Sequence, residues 1–140
     1  MLQEVDGNGK GSLLTFLHGA GLIGTENPAV ALTGADLQGV ALVSANLQGA
    51  NLQGANLLEA NLREANLQGA ILLEAILQDA YLLEANLQGV ALVSANLQDA
   101  NLQDANLLEA NLEGAIVTDE QLADTRSLKA ATMPDGSNHT

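Results

Sequence analysis

The sequence predicts an all-β solenoid of stacked, roughly square coils. Three observations carry that prediction. Leu stands at position 32 and at every fifth position through 112, seventeen times in a row. Two places before each Leu stands Ala, or Val at 30, 40 and 90. Gly recurs at the fifth place of many pentads (Gly39, Gly49, Gly54, Gly69, Gly89, Gly114), where a sharp turn needs backbone freedom.

The period itself excludes the usual elements. On an α-helix, five residues advance about 500°, so the Leu side chains would spiral round every face. On a flat strand an odd period sends successive Leu to opposite faces. A chain that bends a quarter turn every five residues points every Leu and Ala inward. Four pentads then close a coil of about 20 residues, and coils stack at roughly 4.8 Å. From Val30 to Asp119 there are 18 consecutive pentads, with Val117 and Leu122 still on the beat, which makes about four and a half coils. The Leu and Ala series, with Leu37, Leu57, Leu77 and Leu97 in one column, is read as core. Asn at the second place suits a polar, turn-tolerant wall.

The chain divides into a leader and cap over 1–29, repeats over 30–119, and a second cap with a tail over 120–140. A solenoid leaves unpaired edges at both ends, so caps are expected. Residues 12–23, "SLLTFLHGAGLI", predict a short helix with Ser12 as N-cap. Its Leu13, Leu14, Phe16 and Leu17 would cover the first coil, and Pro28 opens the repeats. At the far end, Thr118 followed by Gln121 matches a capping box, and Asp119 to Arg126 is read as a helix. Leu128 and Met133 return to the beat, and "MPDGSNHT" is read as a turn and a frayed tail.

Composition bounds the function. Seventeen acids against four bases give a net charge of −13, which disfavours nucleic acid and anionic lipid as direct partners. One Phe and one Tyr make base-stacking platforms a poor fit. There is no Cys, no membrane-length apolar run and no signal-peptide start, so a cytoplasmic protein is expected. Asp6-Gly7-Asn8-Gly9-Lys10-Gly11 resembles the opening of a calcium loop. Lys10 stands where an acid belongs, and Leu17 where the bidentate Glu belongs. "GNGKGS" lacks the Ser or Thr that follows the Lys of a phosphate loop. His18 and His139 are far apart with no clustered ligands. No catalytic residue, metal site or cofactor is expected.

Two surface features remain. Positions 20 apart stack in columns, so Glu59, Asp79, Asp99 and Asp119 form one acidic ladder. Glu64, Glu84 and Asp104 form another. Neighbours in such a ladder repel by roughly 0.9 kcal/mol in water, before screening. Between them in the sequence, "GAILLEAILQDAYLLEA" loses its polar second place three times, to Ile71, Ile76 and Tyr81. With Leu73 and Leu83 at outward fourth places, these form a candidate apolar belt round one coil. Residues 35–60 and 85–110 differ only at Asp36/Asn86, Gly49/Asp99 and Gly54/Asp104. That offset of two and a half coils puts the two copies on opposite walls, an arrangement expected of repeat duplication rather than of a site confined to one wall.

The pentads "ADLQG", "ANLQG", "ANLLE" and "ANLRE" resemble the pentapeptide-repeat family, A-(N/D)-L-x-x, and the two ends look like those of cyanobacterial members. The resemblance implies a right-handed quadrilateral β-helix and a non-catalytic structural or protein-interaction module, monomeric or weakly dimeric, with an unknown protein partner. Some members of that family are acidic rods that look like duplex DNA to a type II topoisomerase such as gyrase. Those mix Phe into the centre position, which is Leu throughout here. A rod binding divalent cations along its acidic ladders is a third reading.

Overall fold

The computed structural model describes residues 32–140. The expected leader, with its helix over 12–23, its cap Ser12, His18 and the run from Asp6 to Gly11, lies outside the described residues.

Each pentad makes one wall of a square coil and the corner that follows it. The centre Leu and the Ala two places before it point inward. Leu37, Leu57, Leu77 and Leu97 are wholly buried, as are nearly all their counterparts on the other walls. The corner is a β-turn in which the next Ala N–H donates to the Leu carbonyl, as Ala45 does to Leu42 at 3.1 Å. The fifth residue of the pentad occupies the third position of that turn with positive φ, for example 63° at Gly39 and 56° at Glu59. This is the conformation that favours glycine there.

Successive coils pair as parallel single-residue bridges between second places, from Asp36 with Asn56 up to Asn96 with Ile116. The offset is 20 residues throughout that run. Each pentad sends three backbone bonds between coils. Leu37 N–H donates to Asn56 carbonyl at 2.8 Å, Gly39 N–H to Leu58 carbonyl at 2.8 Å, and Asn56 N–H back to Ala35 carbonyl at 2.9 Å. The core is therefore a column of Leu and Ala enclosed by a continuous hydrogen-bonded wall.

The second-place Asn has a structural task as well as a polar surface. Its Oδ1 accepts the N–H two residues ahead, as Asn66 does from Gln68 at 3.1 Å and Asn96 from Gln98 at 3.0 Å. That N–H points away from the coils above and below. On one wall the amides also join vertically: Asn86 Nδ2 donates to Asn66 Oδ1 and Asn106 Nδ2 to Asn86 Oδ1, each at 3.3 Å.

At the C-terminal end the coil is interrupted by helix α1, Asp119–Ala123. The capping box is present: Gln121 N–H donates to Thr118 Oγ1 at 3.2 Å and Thr118 N–H to Gln121 Oε1 at 2.9 Å. The helix is shorter than the 119–126 expected. The last coil takes the chain back at once, with Asp104 N–H donating to Asp124 carbonyl and Arg126 N–H to Ala105 carbonyl, both at 2.9 Å. Gln121 substitutes for the missing wall, its Nε2 donating to the carbonyls of Leu97 and Ala100 at 2.8 Å. After the helix the repeat resumes one residue late. Ser127 bridges Asn106 and Thr132 bridges Asn111, so Leu128 and Met133 pack on the core in the shifted register. The last residues do not fray. Asn138 bridges Thr132 antiparallel, and His139 exchanges backbone bonds with Ala130 and Ala131 at 2.9 and 2.8 Å. The unpaired edge of the final wall offers those donors and acceptors, and the tail takes them.

Candidate interaction surface

The register defines four walls. Wall one carries Leu37, Leu57, Leu77 and Leu97 inside, and Asp36, Asn56, Ile76, Asn96 and Ile116 at its bridging places. Wall two bridges through Ala41, Asn61, Tyr81 and Asn101. Wall three bridges through Asn46, Asn66, Asn86 and Asn106, and wall four through Asn51, Ile71, Ala91 and Asn111.

Ile71, Ile76 and Tyr81 thus stand on walls four, one and two in succession. They are among the most exposed large apolar side chains, at 36, 41 and 52%. Leu73 and Leu83 are half-buried against the corners instead of projecting fully outward. Wall three closes that coil with Asn66 and Asn86, so the belt covers three walls. Among the described residues no side chain takes the N–H of Leu73, Gln78 or Leu83, the groups that an Asn at 71, 76 or 81 would satisfy. Val43 and Ile116, at 50 and 58% exposed, are apolar surface that the belt did not include. Their signal was visible as apolar letters at a fourth and a second place.

The acids do not surround the rod. Eight of the turn residues with positive φ are Asp or Glu, and six of them lie on two adjacent corners. Glu59, Asp79 and Asp99 stack between walls one and two; Glu64, Glu84 and Asp104 stack between walls two and three. Asp119, expected to continue the first series, opens α1 instead, and the bridges of that wall end at Ile116. The other two corners hold only Glu74 and Glu109 among glycines, Ser94 and Ala130. Each of these eight turn acids occupies a left-handed conformation that costs an L-residue about 1–2 kcal/mol. Ladder neighbours add repulsion at about the spacing of adjacent strands. Arg63, beside Glu64, is the only base between residues 32 and 119.

Among the described residues no group of three or more His, Asp or Glu converges to hold a metal ion, and no helix is long and apolar enough to cross a membrane. A depression of about 250 Å³ lies at the C-terminal end, lined by Val117, Asp119, Met133, Pro134, Asp135 and Ser137. Ser137 donates its hydroxyl to Asp135 at 2.6 Å and its N–H at 2.9 Å. These bonds hold the Asp135 carboxyl below the usual carboxylate range. They close the final turn.

The pentapeptide-repeat family model matches residues 32–69, 60–99 and 80–119. A pentapeptide repeat protein, Rfr23 from the cyanobacterium Cyanothece 51142, is 40% identical over 72% of this chain, with a TM-score of 0.64. The chain spans 65% of the length of Rfr23. The pentapeptide repeat protein alr5209 from Nostoc Pcc 7120 is 32% identical over 81% of this chain and 92% of its own, with a TM-score of 0.59. QnrB1, a plasmid-mediated fluoroquinolone resistance protein, shares the fold at 16% identity and a TM-score of 0.55 over 74% of this chain and 57% of its own. No curated protein matches the chain. With the repeats in unbroken register and these structures overlaid on them, the chain belongs to the pentapeptide-repeat family and adopts its right-handed quadrilateral β-helix.

Proposed function

We propose that the protein is a non-catalytic interaction module that presents the belt of Ile71, Leu73, Ile76, Tyr81 and Leu83 to a protein partner. One observation carries this reading. At 71, 76 and 81 the chain gives up a side chain that satisfies a backbone N–H and exposes a large apolar one in its place. Folding gains nothing from that exchange. Apolar surface concentrated on one coil of an otherwise polar rod is what a partner would bury. The test is capture from source-cell lysate by the native protein and by the variant Ile71→Asn, Ile76→Asn, Tyr81→Asn. The variant should melt at or above the native protein, because each Asn restores a hydrogen bond of about 1 kcal/mol. It should also lose the retained partner. Identical profiles from both baits would remove the belt as a site.

A second reading rests on the acidic corners. Two parallel columns of carboxylates on one side of a rigid rod could take the place of duplex DNA on a type II topoisomerase. The protein would then inhibit supercoiling by gyrase, and the belt variant would inhibit equally. No effect at large molar excess would remove this reading.

A further inference from the structure

Wall two differs from the other three. It alone is bordered on both sides by acidic columns, Glu59–Asp79–Asp99 on one edge and Glu64–Glu84–Asp104 on the other. In its middle stands Tyr81, 52% exposed, with Leu83 half-buried beside it. The two edges are five residues apart along the chain, at most about 17 Å.

The duplicated segment carries the same sidedness at two of its three differences. Residues 35–60 and 85–110 lie half a turn apart round the rod and differ at three positions. Asp99 and Asp104 fall on the two acidic corners, whereas their counterparts Gly49 and Gly54 fall on the opposite two. Asp36 lies on wall one and its counterpart Asn86 on wall three, both of which border an acidic column. At the two corner differences the acid is on the acidic side and the glycine is away from it. A duplication alone would have spread the charge evenly, and a need for solubility would be indifferent to side. Asp99 and Asp104 also adopt φ of 58° and 56° respectively as left-handed turn residues, where the Gly of the other copy is unstrained.

We propose that wall two docks an extended, arginine-containing segment of a basic partner protein; this rests on the interaction-module reading above and names the partner's chemistry. Guanidinium groups pair bidentately with carboxylates along either edge, and the face of Tyr81 accepts a cation between them. The apolar flank of Tyr81 and Leu83 takes the aliphatic stems or an intervening apolar side chain.

The probe is a fluorescently labelled short peptide alternating Arg and Leu, with affinity read by anisotropy at about 0.15 M salt. Asp99→Gly with Asp104→Gly removes two charges from the borders of wall two. Glu74→Gly with Glu109→Gly removes two charges from the other corners and relieves the same backbone strain. The first pair should weaken binding by about fivefold or more and the second by less than about twofold. Tyr81→Asn should weaken it with no change in charge. Equal losses from the two charge-matched pairs, or no binding at all, would overturn the proposal. Should the side-specific difference stand while Ile71→Asn with Ile76→Asn, which leaves Tyr81 in place, captures the same lysate proteins as the native protein, the belt reading falls and this one survives.

Discussion

At the residue scale, the fifth place of the pentad is a compromise between backbone and surface. The turn needs positive φ, and Gly supplies it freely, yet Glu74 sits there at φ 57°. Glu74→Gly should raise stability by about 0.5–1 kcal/mol, the left-handed penalty less the entropy Gly loses on folding. A lower or unchanged denaturant midpoint would mean that Glu74 makes a compensating contact. The centre place allows no such exchange. Leu77 is wholly buried among Leu and Ala. Leu77→Ala should cost about 2–5 kcal/mol through the cavity it leaves, and Leu77→Asp should unfold the chain, because a lone carboxylate there has no partner. A Leu77→Asp protein that melts like the native one would refute the inward assignment. These positions were legible from spacing alone. The second-place Asn was only half legible. Its polarity marks a solvated wall, whereas Asn66 and Asn96 also hold a backbone N–H, a bond that depends on the coil's dihedral angles rather than on the letters.

At the element scale, α1 is a plug more than a helix. Five residues are too few to be stable alone. The segment is held by the Thr118–Gln121 box and by Gln121 Nε2 on two carbonyls of the coil below. Gln121→Ala should therefore cost more than Thr118→Ala, about 2 against about 1 kcal/mol, measured by urea unfolding. Equal costs would show that the bonds to Leu97 and Ala100 contribute nothing. The final turn adds a pH-sensitive element. Hydrogen bonds from Ser137 depress the Asp135 carboxyl, so the closed turn is favoured above the ordinary carboxylate range and loosens as pH falls through the lowered value. The protection factor of the Ser137 amide should fall in acid, and Ser137→Ala, which removes the hydroxyl bond and keeps the N–H bond, should weaken that dependence. The capping box was readable as a four-residue motif. The one-residue shift after α1 was not, because it follows from where Asp124 and Arg126 are taken back into the ladder.

At the scale of the whole molecule, the rod behaves as a one-dimensional stack in which each coil meets only its neighbours. Deleting residues 55–74 removes one full turn of 20 residues and leaves every column in register. The shortened chain should fold to the same β signature with a lower melting temperature. Deleting residues 85–94, a stretch with no charged residue, should also fold, since any pentad can occupy any wall. It turns everything above by two walls, carries Asp99 and Asp104 onto the opposite corners and leaves Glu109 and Gly114 beside wall two. Circular dichroism should be unchanged while the Arg–Leu peptide binds more weakly. Unaltered affinity would mean that total charge, not its placement, governs binding.

The sequence by itself determined the repeat, the inward Leu and Ala, the corners and the length of the stack. A period of five admits one way of burying Leu37 together with Leu42 and Leu47, and that constraint is local enough to read from the letters. Only the tertiary structure decided the register beyond Thr118, the return of the tail onto Thr132, and the service of Asn to the backbone. Each of these depends on which donors and acceptors the coil below leaves open. The acidic side belongs to both. The columns follow from a turn of 20 residues, but the positive φ under all six acids of the two columns is a property of the folded corner, and it places the charge against the preference of the backbone.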